Sequence, residues 1–273
     1  MRVWFNGSLL DDPAAGVIRV DDHGLTVGDG VFEAVKVVDG TPFALTRHLE
    51  RLVGSAAGLG LPKPDADEIR SAVDAVLQGQ EMPLGRLRVT WTAGPAPLGS
   101  GRGGGPPSLV VVASPMDPAA ASTSVVRVPW VRNERSPVAG LKTTSYAENV
   151  VALAYARARG ATEAILGNTL GNVCEGTGSN ICYVIDGQAR TPTLTSGCLA
   201  GVTRALVVEW CGVLEVDEPL SVLDEAEEVF LVSTTRDVQP VSRLDDRDLP
   251  VPGPVTLEAM KTWALREAAG VDP

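Results

Sequence analysis

The fold of the first part of this chain is decided by residues 27–38, which read VGDGVFEAVKVV and lead into the turn pair Asp39-Gly40. Valine and phenylalanine are typical of strands and an Asp-Gly pair is typical of a tight turn, so we predict a strand over 31–38. Residues 46–59, TRHLERLVGSAAGL, follow with apolar side chains at helical spacing, and Thr46 is the predicted N-cap. A strand followed directly by an amphipathic helix indicates a chain that combines α and β structure.

Strand and helix patterns alternate along the rest of the sequence. We predict further helices over 65–77, 146–159, 203–210 and 255–268, and further strands over 85–92, 109–113, 125–129, 163–166, 181–185 and 229–233. The fold class is therefore mixed α/β (α+β). Residues 115–124 are small, contain proline and lack periodicity, so we predict a linker there between two domains, 1–114 and 125–273.

The charge balance limits the partners of the protein. The chain carries 34 acidic and 23 basic residues, a net charge of −11, and this sign repels nucleic acid and anionic membranes. No stretch reaches the ~18 apolar residues of a membrane span, so we expect a cytoplasmic protein with neither a nucleic-acid nor a membrane partner. The four cysteines form no C-x-x-C pair, which argues against a metal site.

Chemistry that needs a primary amine has four candidates, because the chain contains only four lysines. Lys36 lies in an alternating strand and is expected to face water, Lys63 lies between two prolines, and Lys261 belongs to the last helix. Lys142 stands in the segment GLKTTSYAEN, residues 140–149, among hydroxyl side chains. It is either a surface lysine or a Schiff-base nucleophile whose pKa is lowered by its surroundings.

Four other segments carry polar groups among glycines or hydroxyls, and each has two interpretations. Glu175 in CEGTGSN either caps a turn or lies against a ligand. Thr203 in GCLAGVTR either caps a helix or marks a helix start that binds phosphate. Thr234 in STTRDVQP belongs either to a simple turn or to an anion contact. Arg102, in the glycine-rich loop 93–107, lies either in a mobile surface loop or in a lid that meets a substrate carboxylate.

Taken in order, these motifs resemble the class IV pyridoxal phosphate enzymes, which include D-amino acid aminotransferase, branched-chain aminotransferase and 4-amino-4-deoxychorismate lyase. The segments that carry the resemblance are VGDGVFE at 27–33, HLERL at 48–52, GLK at 140–142, EGTGSN at 175–180, GVTR at 201–204 and STT at 233–235. The resemblance implies a smaller N-terminal α/β domain, a larger C-terminal pseudo-barrel domain with the cofactor between them, and a homodimer.

The resemblance also implies roles for individual residues. Lys142 would form the Schiff base with the aldehyde of pyridoxal 5'-phosphate and then carry the proton that leaves the substrate Cα. Glu175 would face the pyridine nitrogen and keep it protonated. The cofactor phosphate would be held by Arg51, the backbone amides of Val202 and Thr203, and Thr234, with the Tyr146 hydroxyl on the cofactor hydroxyl.

Both an aminotransferase and a lyase can use that set, so the substrate residues must distinguish them. Phe32 stands where the D-amino acid enzymes have tyrosine, and no histidine follows His48, which argues against D-amino acid specificity. Arg102 is the candidate partner of a substrate carboxylate, and the amide of Thr235 would bind the α-carboxylate.

The lyase usually has asparagine where Thr234 stands, so we expect amino transfer between an amino acid or amine and a 2-oxo acid. The alternative is the lyase, which releases pyruvate and p-aminobenzoate in the folate pathway. A third hypothesis is that the protein binds pyridoxal phosphate without catalysing a reaction.

Overall fold

The computed structural model describes all 273 residues, and the chain divides into two compact units. The first consists of Met1–Pro118, Leu141–Ser145 and Val271–Pro273, and the second consists of Ala119–Gly140 and Tyr146–Gly270. Helices and strands are interleaved throughout, so the predicted mixed α/β class is confirmed. No helix is both long and apolar enough to cross a membrane.

The first unit is built on a six-stranded antiparallel sheet with the strand order β2-β1-β6-β5-β3-β4. Its strands are β1 (Arg2–Phe5), β2 (Ser8–Leu9), β3 (Gly30–Val38), β4 (Thr41–Pro42), β5 (Leu84–Thr92) and β6 (Ser108–Pro115). Its helices are α1 (His23–Thr26), α2 (Leu45–Leu59) and α3 (Ala66–Leu77). Alternate residues of β3, such as Val31 and Val35, share one core with Leu49 and Leu52 of α2 and with Ile69 of α3.

The two helix starts in this unit differ. Helix α3 begins one residue after its predicted start, because Asp65 is its N-cap and the Asp65 carboxylate accepts from the amides of Asp67 and Glu68. The prediction that Thr46 caps α2 is wrong. This helix begins one residue earlier, and the carboxylate that accepts from the Thr46 amide, at 2.9 Å, is that of Asp272 near the C-terminus.

Two segments that the sequence analysis placed in the C-terminal domain belong instead to the first unit. The segment around Lys142 runs beside the start of β3, where Phe32 N donates to Lys142 O at 3.0 Å. The last three residues lie at the start of α2, where Ala44 N donates to Val271 O at 2.7 Å. Backbone pairing between residues distant in sequence, which periodicity cannot reveal, decides both placements.

The second unit is built on a nine-stranded sheet with the order β12-β11-β10-β13-β14-β7-β8-β9, and β15 pairs with β14. Its strands are β7 (Thr123–Arg132), β8 (Glu163–Asn168), β9 (Val173–Gly176), β10 (Asn180–Ile185), β11 (Gln188–Thr191), β12 (Leu214–Glu215), β13 (Glu228–Ser233), β14 (Asp237–Leu244) and β15 (Arg247–Asp248). Its helices are α4 (Ala147–Arg157), α5 (Val202–Cys211) and α6 (Pro254–Ala269), with short 3-10 helices at Leu194–Ser196 and Leu220–Asp224.

Strand β7 contributes side chains to both faces of this sheet. Val125 packs with Ile165 and Leu231 in one cluster, whereas Val126 and Val128 belong to another under α4. Because neighbouring side chains of a strand point to opposite faces, a strand buried on both sides reads as a continuous apolar run. The strand pairs in parallel with β8 and with β14.

Candidate active site

Lys142 is held by its backbone at the start of β3. Its carbonyl accepts from Phe32, and its amide donates to Ser55 Oγ at 3.2 Å. Two residues later, Thr144 Oγ1 donates to Gly28 O at 2.9 Å. The Lys142 Nζ lies 4.6 Å from the centroid of the Phe32 ring. These contacts fix the backbone on both sides of the amine.

Gly28 is required where this segment meets the VGDG motif. Its φ is +73°, a backbone conformation that favours glycine, and a Cβ placed there would lie 2.4 Å from Ser145 Oγ. The Ser145 hydroxyl donates to Gly28 O at 3.1 Å. The glycine therefore permits the close approach that seats the lysine segment.

Glu33, His48 and Arg51 form a buried network in the same unit. Glu33 Oε1 accepts from Arg51 Nε at 2.8 Å, and Glu33 Oε2 accepts from Arg51 Nη2 at 2.6 Å and from His48 Nδ1 at 2.7 Å. Burial alone would raise the pKa of Glu33, but the charge and hydrogen bonds of Arg51, with the hydrogen bond of His48, lower it to about 2. Burial lowers the pKa of His48, and the Lys142 charge acts in the same direction.

Burial does not distinguish Lys142 from all the other lysines. The expectation that Lys36 faces water is wrong, because this residue is 4% exposed and its Nζ lies 5.6 Å from the Phe43 ring centroid. Lys63 and Lys261 are exposed, as expected. What marks Lys142 is its place beside Phe32 and the buried network of Glu33.

Glu175 lies on β9 in the second unit and is nearly enclosed, with 8% of its surface exposed. Its Oε2 accepts from the amide of Leu199 at 2.9 Å, and its Oε1 lies 3.2 Å from Arg132 Nε. Arg132 is itself held by Asn149, whose Oδ1 accepts from Arg132 Nη2 at 2.9 Å. A carboxylate with a cation and an amide beside it is stabilised in its ionised form.

Sequence reasoning missed Glu163, which organises the turn after Glu175. This buried carboxylate accepts from the amide of Thr177 at 3.0 Å, from the Thr177 hydroxyl and from Ser179 Oγ at 3.3 Å. It stands in a strand of apolar residues. A charged residue within a run predicted to be a buried strand was the signal that could have found it.

The start of α5 is a set of backbone donors. Its N-cap is Gly201, with no side-chain cap, so the amides of the first turn, including those of Val202 and Thr203, are not satisfied by a capping side chain. The alternative that Thr203 caps the helix is wrong, because Thr203 is its second residue. A Cβ on Gly201 would lie 2.0 Å from Asn180 Oδ1, which explains the glycine.

The STT segment forms the turn between β13 and β14. Ser233 ends β13, and Thr234 and Thr235 occupy the turn. The Ser233 Oγ is buried and has no hydrogen-bond partner within the protein. An orphaned buried hydroxyl is unusual in a folded protein and leaves a donor for which the protein supplies no acceptor. Tyr146 is the N-cap residue of α4, where it is partly buried.

Arg102 is engaged inside the first unit. Its Nε and Nη2 donate to the Asp29 carboxylate at 2.7 and 2.6 Å, and its Nη1 donates to Gly60 O at 2.8 Å. The predicted loop is therefore tied to the end of α2. Binding a substrate carboxylate with this guanidinium would compete with those contacts.

Arg88 is a cation beside Phe32 that the sequence did not single out. Its guanidinium carbon lies 3.9 Å from the centroid of the Phe32 ring. Arg86 and Arg88 alternate with apolar residues along β5, which predicts that they share a face, but only the pairing of Ala34 with Arg88 places that face beside Phe32.

The predicted site residues are divided between the two units. The first unit holds Phe32, Arg51, Arg102 and Lys142, and the second holds Tyr146, Glu175, Val202, Thr203, Thr234 and Thr235. The donor chemistry fits a phosphorylated pyridine aldehyde. The chain offers an amine, a buried carboxylate with a paired cation, helix-start amides and an orphaned hydroxyl.

Comparison with known proteins identifies the family. The model of the family "Amino-transferase class IV" matches residues 30–244. A Methanocaldococcus jannaschii protein, provisionally described as a branched-chain-amino-acid aminotransferase, is 34% identical over 258 residues, which cover 90% of this chain and 89% of the relative. The bifunctional aminodeoxychorismate lyase / D-amino acid transaminase of Mycobacterium tuberculosis is 30% identical over 92% of this chain and 93% of its own length.

A solved structure agrees with these relatives. The branched-chain aminotransferase of the thermophilic archaeon Thermoproteus uzoniensis, determined with norvaline, superposes with a TM-score of 0.90 at 31% identity, covering 97% of this chain and 93% of its own. The chain belongs to the class IV aminotransferase family, and the resemblance predicted from its sequence is confirmed. It is a pyridoxal-phosphate-dependent enzyme that acts on amino and 2-oxo acids.

Proposed function

We propose that this enzyme transfers the amino group of an amino acid with an apolar side chain to a 2-oxo acid, with Lys142 as the residue that moves the substrate proton. The observation that carries the proposal is the Phe32 ring, whose centroid lies 4.6 Å from the Lys142 Nζ. An aromatic ring beside the reacting amine favours an apolar side chain over a charged one. Relatives named for branched-chain substrates support the same class.

The phosphate of the cofactor would be bound by neutral donors and one cation. The first-turn amides of Val202 and Thr203 start a ten-residue helix whose positive end favours an anion. We propose that Arg51 adds a planar guanidinium to this set, with the hydroxyl of Thr234 as a further donor. Local donors of this kind allow a chain with net charge −11 to bind a dianion.

Glu175 would orient the ring of the cofactor. When bound, pyridoxal phosphate supplies an electron-accepting ring that stabilises the electron pair left after a proton leaves the substrate Cα. We propose that the Glu175 carboxylate holds the proton on the pyridine nitrogen, and that Arg132 and the Leu199 amide hold the carboxylate. The Tyr146 hydroxyl would donate to the cofactor hydroxyl.

Lys142 would accept the proton from the substrate Cα and return it to the neighbouring carbon of the cofactor. This role needs an amine that is neutral for part of the cycle. The substrate carboxylate would meet the Thr235 amide and the Arg88 guanidinium, which lies over the same ring as the lysine amine. We assign Arg102 to loop anchoring, because Asp29 occupies its side chain.

Labelling and reduction test the role of Lys142. Borohydride treatment of the holoenzyme should attach the cofactor irreversibly to Lys142, and peptide mass spectrometry locates the modified residue. Lys142→Ala should lose the label and all amino transfer, whereas Lys261→Ala, at an exposed lysine, should retain both. A label on another lysine, or none, would reject the assignment.

Substrate assays test the reaction. L-Leucine, L-isoleucine and L-valine with 2-oxoglutarate should each yield glutamate, and D-alanine should react more slowly. A second candidate is the lyase, which one relative combines with D-amino acid transamination. Release of pyruvate and p-aminobenzoate from aminodeoxychorismate, without transfer from any L-amino acid, would select that candidate.

We also propose a cytoplasmic homodimer. Large apolar side chains stand exposed in the first unit at Val20, Leu25 and Leu98, which are 85%, 64% and 83% accessible. Burial of these side chains against a second copy of the chain would be favourable, because it removes apolar surface from water. Light scattering coupled to size-exclusion chromatography should give twice the mass of the 28.5 kDa chain.

A further inference from the structure

Glu33 carries a charge in the middle of the first unit's core. It lies on β3 between Val31 and Val35, on the face that packs against α2, and it is fully enclosed. Burying a carboxylate costs more than packing an apolar side chain of the same volume, even when the carboxylate is paired. A contribution to stability therefore does not explain why this position is acidic.

The contacts of Glu33 orient one side of a guanidinium. His48 and Arg51 lie three residues apart on α2, so both face the strand. Glu33 accepts one proton from Arg51 Nε and one from Nη2, which fixes the plane of the guanidinium along that edge. The opposite edge, which carries the Nη1 protons, is thereby turned away from the carboxylate.

His48 fixes the carboxylate in turn. An ionised carboxylate is only an acceptor, so the 2.7 Å contact to His48 Nδ1 requires a proton on that nitrogen. The same oxygen of Glu33 accepts from Arg51 Nη2. Two donors on one oxygen leave the Glu33 carboxylate little rotational freedom. The orientation of the Arg51 guanidinium is therefore set by the positions of helix α2 and strand β3.

We propose that Glu33, held by His48, is a positioning residue that aims the Arg51 guanidinium at the cofactor phosphate. This inference rests on the proposed function, because it takes Arg51 as a phosphate ligand. It predicts an effect specific to the phosphate group. Glu33 should matter for pyridoxal phosphate and be nearly indifferent for pyridoxal, which lacks the phosphate.

The experiment measures the ratio of two dissociation constants, that of pyridoxal divided by that of pyridoxal phosphate, by absorbance titration of the apoenzyme. Glu33→Gln keeps the volume of the side chain but loses the charge that fixes the guanidinium. We expect the ratio to fall at least about tenfold, as for loss of a charge-assisted hydrogen bond. Glu50→Gln makes the same chemical change at an exposed site on α2 and should leave the ratio unchanged.

A double variant tests whether Glu33 acts through Arg51. Arg51→Lys keeps the charge but cannot form the fork, so it should lower the ratio by itself. If Glu33 acts only through Arg51, the double variant with Glu33→Gln and Arg51→Lys should have the same ratio as Arg51→Lys alone. Additive losses would reject the positioning role.

Other outcomes also decide the matter. If the ratio is unchanged in Glu33→Gln, including the case in which pyridoxal and pyridoxal phosphate both bind more weakly by the same factor, Glu33 serves only the core. If Glu33→Gln does not fold, Glu33→Asp keeps the buried charge but withdraws it from Arg51, and its ratio should fall as well. Failure of both variants to fold would also reject the proposal. A wild-type protein that binds neither ligand at Lys142 would instead reject the proposed function.

Discussion

At Glu175 a single side chain depends on partners from three parts of the second unit. One of its oxygens accepts a hydrogen bond from the Leu199 amide, and the other forms an ion pair with Arg132. Arg132 in turn donates a hydrogen bond to Asn149 on α4. The Glu175 side chain is 11% exposed, so water contributes little to its stabilisation. A cation and an amide beside a carboxylate stabilise its ionised form, which the role proposed for Glu175 requires.

Glu175→Gln should lower turnover by at least about tenfold while the cofactor stays bound, because the amide keeps the shape but loses the charge. Steady-state kinetics with saturating pyridoxal phosphate and an absorbance titration measure the two effects. The matched control is Glu148→Gln, which removes the other carboxylate near Arg132, one that is 80% exposed. Equal turnover in Glu175→Gln and wild type would contradict the assigned role.

Among elements, α2 joins the core of the first unit to the segment that carries Lys142. Two of its glycines are exposed and differ in what lies next to them. A Cβ on Gly54 would meet nothing within 4 Å, whereas a Cβ on Gly58 would lie 2.7 Å from Leu141 Cδ2. Gly58 therefore accommodates Leu141, the residue that precedes Lys142.

Gly54→Ala should raise the free energy of unfolding by about 0.5–1 kcal/mol, because alanine loses less backbone entropy than glycine in a helix. Gly58→Ala should raise the free energy of unfolding by less than Gly54→Ala does, or lower it, because Leu141 must move. The KM of the Gly58→Ala variant should also change. Urea unfolding and steady-state kinetics of both variants give the comparison. An equal rise in the free energy of unfolding for the two variants would show that Leu141 is loosely packed.

The glycine-rich loop is a second element, and His23 contacts it in addition to the anchoring by Arg102. His23 is buried between two acceptors, with Nδ1 3.0 Å from Asp29 Oδ2 and Nε2 2.8 Å from Gly99 O. Both contacts need a proton, so the doubly protonated ring satisfies them best. The hydrogen bond to Asp29 and that to Gly99 raise the pKa of His23, against the charge of Arg102.

Loop anchoring should consequently weaken as pH rises. A raised pKa in the folded state means that the stabilisation is complete below the unfolded pKa of about 6.5 and is lost as pH passes the folded value. Hydrogen exchange of residues 94–107, corrected for its intrinsic pH dependence, should show protection falling over the pH range above about 6.5. In His23→Gln the protection should no longer vary with pH in that range. Constant wild-type protection would show that Arg102 and Asp29 suffice.

At the scale of the whole molecule, the chain returns to the first unit in its last residues. Asp272 accepts from the Thr46 amide at 2.9 Å and from the Thr46 hydroxyl at 2.5 Å, so a residue 226 positions away provides the N-terminal cap of α2. A cap of this kind satisfies amides that the helix cannot pair itself.

Asp272→Ala should lower the free energy of unfolding by about 1 kcal/mol, the usual loss for an N-cap. Asp272→Asn keeps an acceptor oxygen and should lose less. Chemical denaturation followed by circular dichroism measures both. If the two variants match wild type, the contact with Thr46 is not maintained in solution.

Most helices and strands follow from the sequence, because periodicity is local. Helix α3 begins one residue after its predicted start, and α5 and α6 differ from their predicted bounds by a residue at each end. Thr46 and Lys36 were misjudged for one reason. A cap can be supplied from elsewhere in the chain, and the face of a strand that is buried depends on what packs against it.

The sequence by itself determined the family of this protein, its mixed α and β composition and the identity of Lys142, Glu175 and Arg51 as candidates, because those depend on residue types in a fixed order. Only the tertiary structure decided that Glu33 and His48 hold Arg51, that Arg88 lies beside Phe32 and that Arg102 anchors a loop. Each of these contacts joins residues from different elements, and strand register and helix packing set their distances.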